Sequence, residues 1–410
     1  MQTVTKSILD YNQGRDPERL KIKLTEIRAD PFAFFRGTCP LFYSSLHLDR
    51  TLVASPLVLA CGDLHLENFA SYKGDNRLVY FDLSDFDESC ISPVAFELVR
   101  FLTSILVAAK PLKVSDEIAS KMVDNFIETY AANLNVAKPR WVERSIATGP
   151  VRKLLQGVKG RHRPALIRQR TQRKSGKTRL LIDRKKTLAA SSQDRARAAS
   201  ILTAFASTRP SPAFYEPIDI ARRIAGTGSL GLERYVALVR GDGGVDGRFL
   251  IDIKVATASA LAANIGNSQP RWKNEADRVI SIQRITQAIS PALLGSVGVG
   301  KLSYLIKELQ PSADRIDLAS LSGKPDELLD VVSTMAEIVA WGHLRGSGRF
   351  GASSVDTLVR FTRYAGWRRK VTRSANIAKA LVLQQWHNYS KDYDAGPEQL
   401  ISVAAGKMST

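Results

Sequence analysis

Apolar residues follow two rhythms along this chain. Short apolar runs bounded by turn residues suit buried strands, and longer stretches with an apolar residue every third or fourth position suit helices. "SPLVLACGD" (55–63) and "NRLVYFDLSD" (76–85) read as strands on either side of "SYKGDN", which has the composition of a turn. Pro93 opens "PVAFELVRFLTSILVAAK", a largely buried helix with proline in its first turn, and helical patterns continue to about residue 135. Further on, "RYVALVRG" and "GRFLIDIKVA" read as paired strands joined around "DGGVD". A helix over 274–289, a strand "KLSYLIKELQ" and a mostly apolar helix from Leu328 to about Leu344 follow, and the tail to Thr410 reads as mainly helical. Residues 1–50 combine an amphipathic start with the loop-like "DPFAFFRGT". The elements predict an α+β protein.

At 410 residues the chain exceeds one ordinary core, so two lobes are expected. Apolar content of 44% and charged content of 24% are those of a globular protein. No apolar run is long enough to span a membrane, and the N-terminal residues lack the apolar centre of a secretory signal. Cys39, Cys61 and Cys90 are odd in number and have no CxxC spacing, which argues for a reducing compartment, the cytoplasm by default.

Net charge is +19, and it is uneven: Arg152 to Lys186 holds fourteen Lys/Arg against one acid, Asp183. Such a segment either neutralises a polyanion such as nucleic acid or forms a solvated helical insertion. It contains no zinc-finger spacing and no aromatic residue, so base stacking from it is not supported.

Against this basic background, "ACGDLHLENFASYKGDNRLVYFDLSDFDES" (60–89) gathers acids. Asp63 and Asn68 have the D-x-x-x-x-N spacing of a phosphotransfer loop, where the acid orients an attacking hydroxyl and the amide reaches magnesium. A second acid after the next strand must share the metal, and Asp85 stands there. "GTGSLG" sets Gly226, Gly228 and Gly231 in G-x-G-x-x-G spacing ahead of a strand, the order suited to a loop folded over phosphates. Lys254 lies in the next apolar strand, where a buried ammonium needs an anion. "GSVGVGKL" (295–302) nearly spells a Walker A loop, but Leu302 cannot ligate magnesium and a strand follows, so it reads as a turn. Asp85 and Asp87 as the D-x-D of a phosphohydrolase are a weaker alternative, because "FDLS" is a poor apolar strand.

These motifs resemble the protein-kinase-like superfamily, especially its aminoglycoside and choline kinase branch, in which "HGDLHxxN" precedes a strand ending in "DF". "CGDLHLEN", "DFD" and "PVAFELVRF" correspond. More closely, "PFAFFRGT", "GDLHLENF", "DFDE", "GTGSLGLERY" and "IKVA" resemble the bacterial domain-of-unknown-function family twenty-two fifty-two. The resemblance implies ATP and Mg2+ as cofactors, Asp63 as catalytic base, Asn68 and Asp85 as magnesium ligands, and Lys254 as the phosphate lysine. Glu275 is the positional candidate for the helix acid that holds this lysine. Cys61 stands where that branch has a histidine, and Asp252 where it has a small apolar residue.

The order of the motifs is inverted, because the Gly loop and lysine follow the catalytic loop by more than 150 residues. A two-lobed, circularly permuted kinase-like fold is therefore expected. Its parts would be 1–135 (catalytic-loop half), 136–215 (basic, mainly helical insertion), 216–315 (nucleotide-binding β-lobe) and 316–410 (completing helices). The function expected is phosphoryl transfer from ATP/Mg2+ to a small-molecule or protein hydroxyl. The alternative is a non-catalytic protein that binds nucleic acid or another anion through residues 152–186.

Overall fold

The apolar runs form strands, but they do not pair with each other. In the computed structural model, described for residues 3–266 and 269–396, Leu57–Ala60 pairs antiparallel with Cys90–Pro93, and Val79–Leu83 pairs with Phe69–Lys73. Part of the stretch read as a turn is therefore strand. The reason is tertiary: Ser71 is buried with its hydroxyl donating to the Ser312 carbonyl (2.7 Å), and Tyr72 packs against Tyr80. "DPFAFFRGT" is likewise a helix, Pro31–Gly37, because Asp30 accepts from the amides of Phe32 and Ala33 and so caps it.

The buried helix Val94–Ala108 and the helix Asp116–Val136 pack with Pro325–Gly346 and the long Trp367–Ala395 into one apolar core. The C-terminal helix also closes onto the N-terminal ones, with the Tyr389 hydroxyl donating to the Leu24 carbonyl (2.8 Å). Residues 397–410 of the predicted helical tail lie outside the described residues.

A six-stranded antiparallel sheet forms the second body, in the order 295–299, 302–308, 249–255, 234–239, 217–223, 187–188. Alternation along its strands makes two apolar faces. Ile251 and Ile253 share a cluster with Ile201 and Phe205 of the helix Ser192–Ala206, whereas Leu250, Val236 and Leu238 cluster with Ile167 and Leu180. The near-Walker sequence is a hairpin of this sheet, turning at Gly300–Lys301 between its first two strands. Mixed helix and sheet is thus the architecture.

The basic stretch packs on both bodies. Val142, Ala147, Val151 and Leu155 enter the helical core, while the remainder carries the hairpin Thr171–Lys174/Lys177–Leu180, the edge strand Thr187–Leu188 and the sheet-packed helix Ser192–Ala206. Residues 136–215 thus combine helices with short strands, and a few apolar residues hidden among the charges dock them on both bodies. No helix among the described residues is long and apolar enough to cross a membrane. All three cysteines are buried free thiols.

Candidate active site

Two loops of the acidic stretch stack on each other where the sheet meets the helical body. Gly62 starts the first, with φ +85°, and a Cβ there would overlap the Glu88 carbonyl. Only glycine lets the "GDLH" and "DFDE" loops approach this closely. Asn68 clamps them. Its amide nitrogen donates to the Asp63 carbonyl (2.9 Å) and the Asp85 carbonyl (3.1 Å), and its oxygen accepts from the Asp85 amide (2.8 Å). One lone pair of that oxygen is therefore already in use.

Asp63 is held from the buried helix. The fully buried Arg100 donates from Nε (2.8 Å) and Nη2 (2.5 Å) to one oxygen, Oδ1, and its guanidinium lies over the rings of Phe35 and Phe42. Burial pushes the Asp63 carboxyl above its usual value, against the pull of Arg100. One turn earlier, Glu97 Oε1 accepts from the amides of Cys61 (2.7 Å) and Gly62 (3.2 Å). Its Oε2 meets His343 Nε2 (2.7 Å), whose Nδ1 meets the Tyr130 hydroxyl (2.8 Å). Burial would raise the Glu97 carboxyl, but the His343 bond holds it low. Sequence reasoning missed Glu97 and Arg100 as functional residues. Two charges three positions apart in an otherwise apolar helix were their signal, since unpaired charges are not buried.

Lys254 crosses from the sheet to the second loop. Its ammonium pairs with Asp87 Oδ2 and lies 3.9 Å from Asp85 Oδ1. Burial works to raise the Asp85 carboxyl, but Lys254, Lys307 and Arg234 together hold it well below the usual range. Glu88 differs: burial, with Asp63 and Asp87 nearby, pushes its carboxyl up to about 7, although it accepts from the Ala260 amide.

The Gly loop reaches the same cleft, where Ser229 donates to Asp87 Oδ2 (3.1 Å). Two N-terminal cations hold it from behind. Arg15 donates to the Gly228 and Leu230 carbonyls (2.8 and 2.9 Å), and the buried Lys23 donates to Gly228 (2.9 Å). Asp63, Asn68, Asp85, Gly226 and Gly228 line one cleft, whereas Gly231 packs against Arg15 away from it. Glu275 is not brought to Lys254. It starts its helix and pairs with Arg278 Nε (2.7 Å), while Asp87 takes the lysine instead. Arg278 spends its remaining donors on the carbonyls of Asp87, Ser89 and Thr257, pinning the "DFDE" loop. Asp252 is buried and matched by Arg223 and Arg234, which hold its carboxyl well below the usual range against the effect of burial.

Among the described residues no cluster of three or more His, Cys, Asp or Glu forms a ready metal cage. Asp85 and Asp87 flanking one ammonium are hard-oxygen donors of the kind that share magnesium with phosphate oxygens and water.

The family described as "Uncharacterized protein conserved in bacteria (DUF2252)" matches residues 15–392 of the chain. No curated protein and no solved structure matches it.

Proposed function

The chain belongs to this bacterial family, and from its site we propose an ATP/Mg2+-dependent phosphotransferase with a circularly permuted kinase-like fold, acting on a small-molecule or protein hydroxyl. The observation that carries the reading is the pairing of Lys254 with Asp85 and Asp87, which line a cleft together with Asp63, Asn68 and the Gly loop. These groups come from chain segments more than 130 residues apart, in the inverted order that a permutation requires.

Each residue then has a physical task. Asp63 has one oxygen fixed by Arg100, which leaves Oδ2 to accept the proton of an acceptor hydroxyl. Its raised proton affinity suits that work. Lys254 is shared by Asp85 and Asp87 and pairs with phosphate oxygens when a nucleotide enters. Asp85 and Asp87 would hold magnesium, which supplies neutralisation of the phosphate charge. Asn68 and Glu97 set the positions of the loops. The rate gain of such a site comes from positioning and charge rather than from covalent chemistry.

Calorimetric titration with ATP and MgCl2 tests the reading. Wild type is expected to bind, with binding weakened in Lys254→Met and Asp85→Asn. Absence of binding by a folded wild type at millimolar nucleotide would overturn it.

A further inference from the structure

A second cavity, of about 230 Å³, lies under the basic segment and shares no lining residue with the cleft of Asp63 and Asp85. Its walls are Leu180, Val236, Leu250 and Leu309, and its rim carries Arg170, Lys186 and Arg223. Arg170 and Lys186 have no ion-pair partner among the described residues. An apolar slot rimmed by cations suits a flat heteroaromatic ring with an anionic tail, because guanidinium planes stack on such rings.

The tail's direction follows from the strand. Leu250, Asp252 and Lys254 alternate onto one face of Phe249–Val255, so the Cα atoms of Leu250 and Lys254 are about 13 Å apart along one line. Between them Asp252 is matched by Arg223 and Arg234, and Lys307 stands opposite it on the neighbouring strand. The side chains between slot and cleft thus carry more positive than negative charge. Ala225 lines the slot and Gly226 lines the cleft, so the two spaces adjoin at the start of the Gly loop.

The roof is a folded part of the molecule. Ile167 and Leu180 share an apolar cluster with Ala221, Val236, Leu238 and Leu250 of the sheet. The buried Asp219 accepts from the Leu180 amide (2.7 Å) and pairs with Arg195 (2.5 Å) and Arg179 (3.4 Å), tying the hairpin down.

We propose that residues 163–188 roof a pocket for the heteroaromatic base of a nucleotide whose phosphates lie at Lys254 and the Gly loop. This rests on the phosphotransferase reading and assigns the basic segment to the nucleotide rather than to a polyanion. Stacking of one base is worth about 1–3 kcal/mol, or roughly fivefold to 150-fold in affinity.

The test compares ATP, GTP and inorganic tripolyphosphate, each with MgCl2, by calorimetry on the full chain. Ala225→Phe fills the slot from its edge, and Arg170→Ala removes a stacking plane without touching the core. Both variants are expected to lose at least about fivefold in affinity for ATP or GTP while keeping wild-type affinity for tripolyphosphate, which also reports an intact fold. Lys254→Met is expected to weaken all three ligands. If both slot variants bind nucleotide as wild type does, the pocket assignment is overturned and the phosphotransferase reading stands. If wild type binds neither ATP nor GTP, the phosphotransferase reading and the roof both fall.

Discussion

Arg100→Met is the sharpest test of how the Asp63 loop is held. The arginine side chain is fully buried, and the Asp63 carboxylate is about a fifth exposed to the cleft. At the observed 2.5–2.8 Å, and with the effective dielectric of about 20 that suits protein sites, the pair attracts by about 6 kcal/mol. Methionine keeps the unbranched stem and cannot pair, and it also removes the cation above Phe35 and Phe42. Part of the loss is offset because a buried guanidinium no longer has to be desolvated, so the net cost expected is about 3–5 kcal/mol. Urea unfolding followed by circular dichroism measures it. Asp63→Asn alone strands Arg100 and should cost a comparable amount. The double variant leaves no unpaired charge, so it should be at least about 2 kcal/mol more stable than the sum of the single effects predicts. Removing Arg100 also removes the paired guanidinium that favours ionised Asp63. The Asp63 carboxyl then rises further, and any activity that needs its base form shifts to higher pH. A loss below about 1 kcal/mol in Arg100→Met, or strict additivity in the double variant, would refute the reasoning.

Glu88→Gln tests the burial of a carboxyl raised from its usual 4.5 to about 7. The folded state binds this proton more tightly than the unfolded state does, so its stabilising contribution is complete below about pH 4.5 and is lost as pH rises through 7. The stability of the variant relative to wild type should therefore grow by about 3 kcal/mol between pH 4.5 and 8, and a gap independent of pH would count against the raised value. Gly62→Ala should cost about 2–4 kcal/mol from left-handed strain and overlap with the Glu88 carbonyl, read as a lowered urea midpoint. For Glu275→Gln, nucleotide affinity should stay at the wild-type level while Lys254→Met loses it. The reverse ranking would mean that the lysine changes partner on binding.

Much of the site was legible because its chemistry is local. Asp63 to Asn68, and Gly226 to Gly231, lie within single loops, so spacing alone brings them together. The apolar alternation of Phe249–Val255 likewise announced a buried strand around Lys254. What holds those groups was much less legible. Arg100 and Glu97 gain meaning only when their helix lies under the Asp63 loop, and Lys23 and Arg15 only when the N-terminal helices lie behind the Gly loop. The docking of the basic segment was hidden for the same reason. Ile167 and Leu180 are sparse among cations and show no period, yet together with the buried Asp219 they hold this segment on the sheet.

The sequence alone determined the mixed helix and sheet content, the acidic and glycine-rich loops, and the inverted order in which they occur. Periodicity and spacing are properties of neighbouring residues, and they survive without knowledge of the fold. Only the tertiary structure decided that Asp87 rather than Glu275 takes Lys254, that Leu57–Ala60 pairs with Cys90–Pro93, and that the cation-rich segment covers the sheet. Those outcomes depend on which buried charge finds its counter-charge first in space. Desolvation makes every such group need a partner, but chain separation does not say which partner it will be.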